Sequence, residues 1–178
     1  MAAEVIDSNE LTIATAYPQG WSHPDIPLRD ASLVKKVFDW VREFREDTTR
    51  LLVVDFPEQT IMKEYRSPRN LPKHEYYGRQ VIQHKFDTGA ICPVQLEYWN
   101  NGDEKVAVVP EQVVDLLHDL GDRSKVAAAF EADAPIVNAC DSDWAQPNEQ
   151  QALQMLGIEL IQILTDVERR QCTGRINP

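Results

Sequence analysis

The sequence predicts an α+β protein: a mostly antiparallel sheet covered by an N-terminal amphipathic helix, with a helical C-terminal third. Three observations carry this expectation. Strand-like segments dominate the first two thirds of the chain and helix-like segments the last third. The stretch "ASLVKKVFDWVREFRE" spaces its apolar residues as one face of a helix. The run "ICPVQLEYW", the turn "NNGD" and "EKVAVV" have the form of a hairpin.

In chain order, residues 1–10 form an acidic lead expected to be flexible, and "LTIATA" (Leu11 to Ala16) alternates like a strand. A loop with Pro18, Pro24 and Pro27 follows, since proline removes the donors that a ladder needs. Asp30 then suits the N-cap of a helix in which Leu33, Val34, Val37, Phe38, Val41 and Phe44 share a face. Leu51 to Phe56 is apolar on both faces, as a central strand should be, and "QTIMKEY" is a candidate to pair with it. Past Pro68 and Pro72, Tyr76 to Phe86 is expected as a long strand, with Ile82, His84 and Phe86 facing the core. Pro110 suits the first turn of a helix that Gly121 ends. A short Ala-rich helix over Lys125 to Glu131 comes next, and the longest helix opens at Asn148 with a capping-box spacing to Gln151. Together these make one domain over residues 11–170, with a flexible tail over 171–178.

Composition narrows the function classes. With 43% hydrophobic and 26% charged residues in 178, the chain is of ordinary globular type. Acids outnumber bases 29 to 18, giving a net charge of −11, which argues against a general nucleic-acid binder because such proteins replace counterions with Lys and Arg. The start "MAAEVIDSNE" has no apolar run and no segment approaches membrane-spanning length, so neither a signal peptide nor a membrane partner is expected. Cys92, Cys140 and Cys172 are far apart and suggest neither a disulfide framework nor a zinc site; a cytoplasmic location is the expectation.

Charge is uneven along the chain. Lys63, Arg66, Arg69, Lys73, Arg79 and Lys85 face only Glu64 and Glu75 across residues 63–85, a local balance of +4. Between Asp103 and Glu168, 14 acids face three bases. The basic island carries Tyr65, Tyr76 and Tyr77, so it can present a contact surface to a protein partner or to another copy of the chain. Trp99, just before the hairpin turn, is a candidate contact anchor. On these grounds Arg66, Arg69, Lys73, Tyr76, Tyr77, Arg79 and Trp99 are the expected partner-binding residues.

One catalytic constellation competes with this. Asp55 closing an apolar strand, with Gln83 two residues before Lys85 on another, has the skeleton of a metal-dependent nuclease core: oxygen ligands for a hard cation and a cation for developing charge. Against it, glutamine is a weaker ligand than a carboxylate, and a long loop separates the two segments. His23, His74, His84 and His118 form no ligand spacing. "CDSDW" lacks the third acid and the glycine of a calcium loop, so Asp141 and Asp143 are assigned to a polar loop before the last helix. The expectation is therefore a non-catalytic interaction module, an adaptor, inhibitor or assembly subunit, with no cofactor and no metal. The alternatives are a divalent-metal nuclease or an acidic nucleic-acid mimic that blocks a DNA-binding enzyme.

Overall fold

The computed structural model describes residues 1–19, 28–66, 76–102, 104–170 and 172. Its main sheet is parallel, so the α+β expectation is corrected to an α/β fold. Five strands, β1 (Ala2–Ile6), β2 (Arg50–Phe56), β3 (Ile91–Gln95), β6 (Ile136–Asn138) and β7 (Leu160–Gln162), lie in the order β3-β2-β1-β6-β7. All four pairings in this sheet are parallel. The first strand, expected as part of a flexible lead, is the middle of the sheet.

These strands are short apolar runs buried on both faces, which is what a parallel sheet between helices requires. Val5, Ile6, Val53, Val54, Ile136 and Val137 are all fully buried. Each such side chain contributes about 1.5–3 kcal/mol through burial. The expected hairpin survives in part, as the two-stranded antiparallel pair β4 (Tyr98–Asn101) and β5 (Glu104–Ala107). "ICPVQ" pairs instead with β2, with Val53 opposite Cys92 and Asp55 opposite Val94.

Several segments expected as strands are helices: α1 (Ser8–Gln19), α3 (Thr60–Arg66) and α4 (Tyr77–Asp87). In α1 the alternation was misleading because Leu11, Ile13, Ala14, Thr15 and Ala16 are all buried, so no polar face marks a helical period. The hydroxyls of Thr12 and Thr15 turn back onto the carbonyls of Ser8 and Leu11, as helical threonines do. In α4 the buried set is Tyr77, Gly78, Val81, Ile82 and Lys85, a helical stripe rather than alternate residues. Gly78 is needed there, because a Cβ would lie 2.5 Å from the ring of Tyr76.

The amphipathic helix α2 (Ala31–Glu46) forms as expected, capped by Asp30 through the amides of Ser32 and Leu33. The expected helix after Pro110 is reduced to a 3-10 turn at Glu111–Val113, whereas the Ala-rich segment becomes α5 (Asp122–Ala132). The expected long C-terminal helix is three elements: α6 (Pro147–Leu156), β7 and α7 (Asp166–Arg169). Gly157 takes φ +70, and Ile158 N–H donates to Leu153 O, closing α6 as a glycine C-cap does.

Cys140 and Cys172 form a disulfide, which corrects the expectation that the cysteines stay apart. Among the described residues, no helix is long and apolar enough to cross a membrane.

The topology positions the site. From β1 through β2 to β3 the chain moves toward one edge, then returns past β1 to β6 and β7. α1, α2 and α4 pack on one another, while α5 lies against β1, β2 and β3. The strand order reverses between β1 and β6, and the C-terminal ends of the strands at such a switch point are where open α/β sheets bind ligands.

Candidate metal centre

Asp7 directly follows β1 and is fully buried. Its Oδ1 accepts from Asn9 N–H at 3.0 Å, and its Oδ2 accepts from Trp144 Nε1 at 3.1 Å. The ammonium of Lys125, one turn into α5, lies 3.0 Å from the same Oδ2. Lys125 also lies 3.1 Å from Oδ1 of Asp122 and 3.7 Å from Oε2 of Glu64, on α3. Three segments remote in sequence thus converge on one buried cation.

A second loop completes the arrangement. After β6, Asn138 clamps the turn: its Nδ2 donates to Asp141 O at 2.9 Å and its Oδ1 accepts from Asp141 N–H at 3.0 Å. Asn9 Nδ2 donates to Asp141 Oδ2 at 3.2 Å, tying the β1 and β6 loops together. Asp119, Asp122 and Asp143 each offer a carboxylate oxygen within 4.8 Å of the other two. Asp122 is 5% exposed, and its Oδ2 is buried without a hydrogen-bond partner. Glu10 in the first turn of α1 is fully buried; one oxygen accepts from the Ala139 amide and the other, Oε2, has no partner.

The electrostatics follow from three carboxylates, Asp7, Asp122 and Glu64, around Lys125, with Glu10 and Asp141 close enough to repel Asp7. Burial pushes Asp122 up to about 7 against the pull of Lys125, with repulsion from Asp7 adding to the rise. Asp141 is pushed up to about 6, again by burial and then by Asp7. Glu64 is raised by burial, and Glu10 well above its ordinary range by burial and by Asp7 and Asp141. Burial would raise Asp7 too, but Lys125 and the Asn9 amide hold its carboxyl low. The same carboxylates keep Lys125 charged against its own burial. Asp7, Asp122 and Glu64 share a single ammonium, a charge deficit that a divalent cation bound nearby would offset. An all-carboxylate donor set without histidine or cysteine suits a hard ion such as Mg²⁺ or Mn²⁺.

The residues singled out from sequence fall elsewhere. Asp55 is fully buried as the cap of α3, its Oδ1 accepting from Ile61 N–H at 3.0 Å and its Oδ2 from Thr60 N–H and Tyr98 Oη at 2.6 Å. Lys85 is buried at the other end of β2, donating to the carbonyls of Asp47 and Arg50, each at 2.7 Å, with Nζ 4.0 Å from the centre of the Phe44 ring. Five residues of strand, about 16 Å, separate these ends. Gln83 is exposed on α4 and donates to Asp87. The structure brings no two of the three together.

Of the expected contact residues, Tyr76 and Tyr77 are buried, the Tyr77 amide donating to Thr15 Oγ1, so their rings are not on an outer surface. Arg66 and Arg79 are exposed on α3 and α4, and Trp99 is 43% exposed on β4. Arg69 and Lys73 lie outside the described residues. Asp141 and Asp143, assigned from sequence to an indifferent polar loop, belong to the acidic centre. A usable signal existed: the short apolar runs "EVI" and "IVN" are each followed within three residues by an acid, as strands delivering carboxylates to one sheet edge would be.

The chain matches no family model, no curated protein and no solved structure, so its function is argued from its own geometry.

Proposed function

We propose that the protein is a divalent-metal-dependent phosphodiester hydrolase acting on nucleic acid. The observation that supports this best is the meeting at Asp122 of two acidic groups near the topological switch point, Asp7 and Glu64 with it around Lys125, and Asp119 and Asp143 within 4.8 Å of it, with Asp122 Oδ2 buried and unpartnered. Asp119, Asp122 and Asp143 would hold the ion. An ion held by these three carboxylates would supply Lewis-acid polarisation of a phosphoryl oxygen and a water acidified toward neutral pH. The chain's own part is orientation: Asn9 and Asn138 fix Asp141, Trp144 and Lys125 fix Asp7, and the disulfide at Cys140 ties down the β6 loop.

The chemical class of nuclease thus returns with other residues than Asp55, Gln83 and Lys85. An acidic chain repels a polyanion, but cation binding offsets the charge where the reaction occurs. Lys63 and Arg66 are exposed on α3, the helix that carries Glu64, with the Arg66 guanidinium 6.0 Å from the centre of the Phe86 ring, and both are candidates for phosphate contacts. The reading as a non-catalytic interaction module rests on charge distribution, and the buried acids give much of that charge another use.

The test is hydrolysis of a single-stranded oligonucleotide and of bis(p-nitrophenyl) phosphate with Mg²⁺ or Mn²⁺. Activity that chelation removes and that falls at least about 100-fold in Asp122→Asn is the expected result. Metal binding without hydrolysis of either substrate would return the chain to the class of binding modules.

A further inference from the structure

We infer that Lys125 is a resident cation, filling one of two cation positions at the sheet edge so that the centre takes a single divalent ion at Asp119, Asp122 and Asp143. The inference rests on the reading of this centre as metal-binding and specifies how many ions it holds.

The first support is the surroundings of the ammonium. Lys125 has a side chain only 7% exposed and meets Asp7, Asp122 and Glu64 at 3.0, 3.1 and 3.7 Å. Three carboxylates from three elements around one point are the donor set of a hard divalent ion. Here the point is taken by a charge covalently fixed to α5.

The second support is the division of labour at Asp122. Its Oδ1 faces Lys125, whereas its Oδ2 is buried with no partner. The same residue belongs to the group whose oxygens gather within 4.8 Å, with Asp119 and Asp143. One carboxylate thus stands between an occupied cation position and a second set of donors. Two-metal hydrolases place their ions about 3.5–4 Å apart to steady both the attacking and the leaving oxygen. In this chain the ammonium stands in for one member of the pair. Asp7 and Glu64 are then positioning residues that hold Lys125, not ligands of the ion.

Counting Mn²⁺ on the metal-free full-length protein, by calorimetric titration with electron paramagnetic resonance of the free ion, tests this. Wild type should bind one Mn²⁺ per chain, and Lys125→Met should bind two. Glu64→Gln should still bind one, with an affinity within about threefold of wild type, whereas Asp143→Asn should lose at least about tenfold. Two ions on the wild type, one ion on a folded Lys125→Met, or a tenfold loss in Glu64→Gln overturns the inference while leaving the metal centre standing. No Mn²⁺ on the wild type overturns both. Should Lys125→Met fail to fold, the wild-type count and Glu64→Gln decide by themselves.

Discussion

Asp122 and Asp141 combine burial with mutual repulsion, and the cost is written in how they hold protons. Their ordinary value is 3.8, and the fold raises them to about 7 and about 6. The folded chain binds these protons more tightly than the unfolded one. Their contribution to stability is therefore complete below about pH 4 and is lost as pH rises through 6 and 7. The metal-free melting temperature should fall between pH 5 and 7.5. A divalent ion needs the same carboxylates ionised, so the rise in melting temperature on adding Mn²⁺ should be larger at pH 7.5 than at pH 5.5. Differential scanning fluorimetry with and without chelator measures both, and a metal-free protein that gains stability across this window contradicts the charge deficit. Asp55 makes the opposite case at the same scale. Its oxygens are committed to amides of α3 and to Tyr98, so Asp55→Ala should cost about 2–4 kcal/mol in denaturant unfolding. At equal folded fraction, its Mn²⁺ affinity should stay unchanged.

At the scale of elements, what was legible was what a single amphipathic face encodes. The helix at Ala31–Glu46 has a dry stripe, a wet side and an Asp cap, and it forms with the bounds the pattern implies. Leu51 to Phe56 likewise shows as a core strand. The failures share a physical cause, which is burial on all sides. When all of Leu11–Ala16 but the half-buried Thr12 is inside, alternation of Thr with aliphatics carries no information about period. The expected long C-terminal helix is broken because Leu153 and Leu156 lie in a helix while Leu160 lies in a strand, so one run of apolar residues passes through two geometries. Gly157 marks the break. At φ +70 with open space where a side chain would go, Gly157→Ala should cost about 1 kcal/mol through backbone conformation alone. Urea unfolding measures it, and a neutral substitution would mean that the chain reverses there without the left-handed residue. The strand that Gly157 releases pairs Gln162 with Asn138, and Gln162 Oε1 accepts from Asn138 Nδ2 at 3.2 Å. The misread glycine therefore bears on the residue that clamps Asp141.

At the scale of the whole molecule, topology turns scattered acids into a centre. Asp7, Glu64, Asp122 and Asp141 span more than a hundred residues of sequence, and no spacing rule links them until β1 and β6 lie side by side. The net charge of −11 suggested a repelled polyanion and an acidic contact face, whereas Glu4, Asp7, Glu10, Asp55, Asp122 and Glu149 are buried and two of them, Asp7 and Asp122, lie against Lys125. What remains outside is less hostile to nucleic acid than the total implies, and the exposed Lys63 and Arg66 sit on the helix that carries Glu64. If they supply phosphate contacts, reversing both to Glu should raise KM for a single-stranded oligonucleotide at least about fivefold at low salt, with kcat within about twofold. Hydrolysis of bis(p-nitrophenyl) phosphate, too small to reach α3 and the ion together, should not change. Salt should also weaken the wild type toward the oligonucleotide more steeply than the double variant, because fewer counterions remain to be released. Equal losses on both substrates would assign Lys63 and Arg66 to folding of α3. Unchanged kinetics on both would direct the polymer across another edge of the centre.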